Sequence, residues 1–161
     1  MLGDEIAGQA VAELRSGRRA LDSQAVEAFA RWTLLQRTDH PGVEGIVRGV
    51  GFALILDAGM PAAAPGMHAA GLLIVRPQRD EARQNVIALH ELPHALFRRE
   101  GIRHHHADVW ATALAIGCPL DVTRAHLDRP AAELAAACSV PWWFAWLRLE
   151  MLCEDTDLRV A

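Results

Sequence analysis

The spacing of apolar residues changes several times along the chain, and each change marks an element. Between Asp22 and Gln36, Ala25, Phe29, Trp32 and Leu35 recur at three- and four-residue steps behind an Asp-Ser start signal. That is the repeat of one buried helical face. His40, Pro41 and Gly42 break it, and a short helical or irregular segment from Val43 to Val50 follows. The apolar run "GFALILDAG", ended by Gly59 and Pro61, predicts a strand. "MPAAAPGMHAA" reads as a Pro/Gly/Ala loop, and "GLLIVRP" as a second strand closed by Pro77. Two strands joined by such a loop predict a small antiparallel sheet.

From Asp80 the helical spacing returns. Asp80 is placed to cap, Glu81 suits the first turn, and Val86, Ile87, Leu89 and His90 begin a buried face that Gly101 terminates. "IRHH" leads into another helix, roughly His104 to Ile116, stopped by Gly117 and Pro119. "DVTRAHL" and "RPAAELAAACSV" predict two short helices, the second started by Asp128 or by Arg129-Pro130. Pro141 opens the last, "PWWFAWLRLEML". There Trp146, with Trp142 or Trp143, is expected in the core, leaving one ring to mark a partner surface. No repeat interrupts the chain, so the expectation is one domain over 1–161, with a helical part at 1–42 and a body at 43–152. Its class is α+β, mostly helical, with the sheet packed on the Asp80–Gly101 helix.

At 161 residues, 52% of them apolar, the chain can fill one core. A net charge of -4, with arginine supplying all 16 basic residues, leaves no basic footprint for a phosphate backbone. Direct nucleic-acid binding is not expected. A basic n-region followed by an apolar stretch is missing at the start, and no apolar run approaches the roughly 20 residues of a membrane span. A soluble, cytoplasmic protein is the expectation. Cys118, Cys138 and Cys153 lack C-x-x-C spacing and are expected to be buried structural thiols.

The chemistry concentrates in "ALHELPHALFRREGIRHHHADVW". His90 and His94 stand four apart, on one helical face with Cβ atoms about 5–6 Å apart, and can reach one ion. Glu91 projects beside them, where it can take a proton from an attacking water instead of coordinating. Two imidazoles, one carboxylate and a metal that lowers a water's pKa toward about 7 are what zinc hydrolysis needs. A third ligand must come from His104, His105, His106 or Asp108. On a helix begun at His104, His104 and Asp108 share a face while His106 points about 200° from Asp108. The expected site is therefore zinc held by His90, His94 and His104. Glu91 is its general base, and Asp108 accepts a hydrogen bond from the far nitrogen of His90 or His94. His106 is the next choice for the third ligand, then Asp108 itself. A chance pentad in a solvated histidine run is the bland alternative.

These residues resemble the ImmA/IrrE family of zinc metallopeptidases over about Val43 to Leu152. The likeness lies in the strand "GLLIVRP", the segment "RQNVIALHELPHAL", the following "HHHADVWATALAIGCP" and the closing "SVPWWFAWLRLEML". It implies a zincin-like domain with Glu91 as base, His90 and His94 as ligands, and a protein substrate such as a helix-turn-helix repressor, often encoded on mobile elements. Where the family usually supplies a glutamate as third ligand, this chain offers histidine. Pro93, inside the pentad, deletes a bond to the Leu89 carbonyl and can bend the helix between the ligands. With no tyrosine in the chain, an oxyanion donor would have to be His105, His106 or an arginine. Those departures motivate a second expectation, a regulator that binds a DNA-binding partner without cleaving it. "GLLIVRP" could serve as a sheet edge for an extended substrate. Arg98, Arg99 and Arg103 could attract an acidic peptide or simply be solvated.

Overall fold

The computed structural model describes residues 2–155, 157 and 158. Helix α1 (Leu2–Arg15) buries Ala7, Ala10, Val11 and Leu14, one face at helical spacing, against α2 (Ser23–Leu35). Half of that stripe is alanine and has little hydrophobic contrast, so within the helical part expected at 1–42 the pattern does not bound α1. Asp22 caps α2 as expected, its carboxylate accepting from the Ala25 amide at 2.8 Å. The buried face of α2 is Ala25, Val26, Phe29, Ala30 and Thr33, which turns Leu35 out to solvent.

After α3 (Val43–Gly49) come β1 (Ala53–Leu56), β2 (Gly66–Ala69) and β3 (Leu72–Val75). The sheet is mixed, in the order β1-β3-β2, and corrects the antiparallel expectation. β1 pairs parallel with β3, Ala53 opposite Leu72, while β2 pairs antiparallel with β3, Ala69 opposite Leu72. The reason is that the supposed loop holds a strand of its own. Gly71, at φ +75°, turns β2 tightly into β3, and β2 takes the antiparallel place. β1 is left to add along the other side of β3. "GLLIVRP" therefore supplies the central strand, and the free edges belong to β1 and β2.

Helix α4 (Glu81–Glu100) lies under β2 and β3, between Asp80, whose carboxylate accepts from Ala82 N, and Gly101, left-handed at φ 67°. Pro93 sits inside it without ending it. A proline costs a helix about 3 kcal/mol. Leu89, Leu92, Leu96 and Phe97, all at most 1% exposed, contribute about 1.5–3 kcal/mol each through burial. Packing therefore outweighs the lost backbone bond.

Helices α5 (His106–Gly117), α6 (Leu120–Arg124), α7 (Ala131–Cys138) and α8 (Trp142–Glu154) complete the α+β architecture. One continuous apolar core joins α1 and α2 to β3, α4, α5, α7 and α8. α8 buries Phe144, Ala145, Arg148, Leu149 and Leu152. Trp142, Trp143 and Trp146 are all exposed, contrary to the expectation that two would enter the core. Cys118 is buried as expected, Cys138 half-buried and Cys153 exposed. Among the described residues no helix is long and apolar enough to cross a membrane.

Candidate metal centre

The i, i+4 spacing on α4 brings the His90 and His94 rings to 5.1 Å between centroids, nearly perpendicular at 82°. Pro93 does not splay them. The third imidazole arrives from the chain reversal that follows. At Gly101 the helix closes, Ile102 donates its amide to the Phe97 carbonyl at 2.9 Å, and its side chain plugs the core. α5 then starts at His106, with His105 as N-cap. His90, His94 and His106 each present a ligand atom within 4.8 Å of the other two, the first two half-buried and His106 exposed.

His104 and Asp108 find other partners. His104 precedes α5, its Nδ1 pairs with the Ile102 carbonyl at 2.9 Å, and its ring lies against Phe97 at 4.9 Å. It stands outside the group of three. Asp108 accepts from the His105 amide at 2.7 Å and donates its own amide to the His105 carbonyl at 3.1 Å, so its carboxylate serves the start of α5 and not the far nitrogens of His90 or His94.

Glu91 sits beside the three imidazoles. Its Oε2 is 2.9 Å from His68 Nδ1 and its Oε1 3.7 Å from His90 Nδ1. Burial pushes the Glu91 carboxyl upward, but the neighbouring His90 ring and the hydrogen bond with His68 outweigh it and hold the group below the usual carboxylate value. It is ionised at neutral pH. Burial, and then the neighbouring His90, hold the His94 imidazole below its ordinary value. Its lone pair is thus available at neutral pH, the form a metal takes.

His68 was missed by sequence reasoning because β2, "GMHA", has neither β-branched residues nor a clear alternation. Its strand reaches α4 closely because position 66 is glycine: a Cβ there would fall 2.8 Å from Ile87 Cγ2 and 2.9 Å from Glu91 Cγ. The His68 ring stacks near His94, centroids 5.8 Å apart. On the opposite side Trp110 covers His90 at 4.4 Å and meets Trp143 at 6.2 Å.

The donor set fits a divalent transition metal. Nε2 of His90 is buried without a hydrogen-bond partner, a deficit worth about 1–3 kcal/mol for an ordinary buried polar group. Three neutral imidazoles suit zinc, which in catalytic sites takes three protein ligands and keeps one position open. No protein-family model, curated protein or solved structure matches this chain.

Proposed function

We propose that the protein is a zinc-dependent endopeptidase of the ImmA/IrrE, zincin-like type, acting on a protein substrate such as a helix-turn-helix repressor. The observation that carries this reading is the meeting of His90, His94 and His106 within 4.8 Å, with an ionised carboxylate next to them. Those three imidazoles would hold the ion, and zinc bound there supplies Lewis acidity toward a carbonyl and a water. Oε1 of Glu91 takes a proton from the attacking water as its oxygen bonds to the scissile carbonyl carbon. Glu91 then returns that proton to the amine nitrogen as the C–N bond breaks.

The free edge of β2 supports an extended substrate, since an unpaired strand edge can bind peptide backbone. Beside it lies a cavity of about 460 Å³ lined by Phe52, His68, Ala95, Arg98 and Arg99. Arg99 is paired with Glu100 at 2.9 Å. Among the described residues Arg98 has no carboxylate within 4.0 Å, which suits an acidic substrate side chain. The exposed Trp142, Trp143 and Trp146 favour a second reading, a regulator that docks a protein partner without cutting it.

The test is to load the purified protein with zinc and assay hydrolysis of an unstructured protein. One zinc per chain is expected, and Glu91→Gln should keep that metal while lowering cleavage about 10²–10⁴-fold. Equal cleavage by both proteins would remove the peptidase reading. A wild-type protein that holds zinc and leaves a bound partner intact would favour the docking one.

A further inference from the structure

Three features of His68 have no use in a site made only of three ligands and a base. Its Nδ1 is 2.9 Å from Glu91 Oε2. Its Nε2 is buried with no partner. Its strand is brought onto α4 by a glycine at which a Cβ would meet Ile87 and Glu91. A carboxylate on a helix surface has free side-chain torsions, and a general base that swings gives up the orientation on which its rate depends. We propose that His68 is the positioning residue for Glu91, donating from Nδ1 to Oε2 so that only Oε1 is left to meet the attacking water.

The contact sets the protonation pattern of the ring. With a carboxylate oxygen as the acceptor at 2.9 Å, Nδ1 is the ring's donor and Nε2 is left with a bare lone pair in the neutral imidazole. That lone pair is the orphan seen in the structure. Although His68 Nε2 could suit a metal, it does not belong to the group whose ligand atoms lie within 4.8 Å of one another. The alternative, that His68 merely satisfies a half-buried carboxylate, predicts the same contact but no effect on turnover in a protein that still folds and holds zinc.

The geometric part of this inference stands alone; its consequence for rate rests on the peptidase reading, and the test separates them. Nitrogen-15 spectra of the histidine rings are recorded on the whole chain, metal-free and zinc-loaded. His68 is expected as the Nδ1–H form in both, with a low-field Nδ1 proton that moves upfield in Glu91→Gln. Zinc should shift ring nitrogens of His90, His94 and His106 and leave those of His68 in place. An Nε2–H form, or a zinc-induced shift of His68 comparable to the other three, overturns the proposal. In the kinetic arm, with labelled casein as substrate, His68→Ala should keep its zinc and lose about 100-fold in kcat, the size expected for misplacing a reacting group, with KM unchanged. His68→Asn, whose amide N–H replaces Nδ1–H, should recover most of that loss. Wild-type turnover in His68→Ala sinks the positioning role. If that variant does not fold, His68→Asn against His68→Leu decides it. Should the wild-type protein cut nothing, the peptidase reading fails while the spectra still decide whether His68 holds Glu91.

Discussion

Two clusters of polar side chains lie inside this protein, and they are satisfied to different degrees. In the first, the fully buried Arg148 of α8 reaches Glu27 of α2 through both terminal nitrogens, NH2 at 2.9 Å from Oε2, and its Nε donates to the Cys118 carbonyl at 3.0 Å. In the second, around Glu91, two imidazole nitrogens are buried and unpartnered. The first cluster is buried and closed; the second is half-buried and open. A closed cluster ties elements together, here α2 to α8, whereas an open one holds lone pairs ready for something not made of protein.

The sharpest way to break the comparison is to open the closed cluster. Arg148→Ala leaves the Glu27 carboxylate buried and alone, which should cost about 3–5 kcal/mol of stability in urea unfolding. An unchanged midpoint would mean that Glu27 rehydrates freely. The converse is to close the open cluster with zinc. At a free concentration about 100 times Kd, stabilisation should be about 2.7 kcal/mol, read as a rise in Tm, and His94→Ala should abolish it.

A finer comparison separates the two candidate third ligands. His106→Ala should remove the zinc-dependent rise in Tm, and His104→Ala should keep most of it; the reverse result would restore His104 to the site. The smallest effect concerns pH. Burial raises the Glu100 carboxyl, but Arg15, at 2.7 Å, and Arg99 outweigh that and hold it below 4.5. A depressed carboxylate stabilises the fold above its unfolded pKa, and the contribution is lost as pH falls through the lower folded value. Arg15→Ala should therefore lower stability slightly at pH 7, and the difference from wild type should vanish as pH falls well below 4.5. A gap that persists in strong acid would assign the effect to packing.

The parts of the site legible in sequence are those where local rules and tertiary packing agree. Asp80 and Gly101 bound α4, and the pentad lies on its inner side, because capping and helical periodicity act over a few residues. The expected third ligand, His104, falls outside the group of three for a definite reason. Rotation at 100° per residue from His104 sets it on the face of Asp108, but α5 begins at His106, so His104 and His105 lie outside the helix where that rule has no meaning. β2 was invisible because pairing with β3 and closeness to α4 make it a strand, not its own composition. Likewise, nothing in sequence joins Glu27 to Arg148, 121 positions apart.

The bare α-carbon at Gly66 has a further consequence. The gap between an edge strand and the helix bearing Glu91 is set there by a missing methyl group, since any side chain would press on Ile87 and on Glu91 itself. Alanine at this position would act as a shim, tilting strand from helix and detuning the acid while every ionisable group kept its identity. Variation at an uncharged, chemically silent position can therefore grade the geometry of such a centre without rebuilding it.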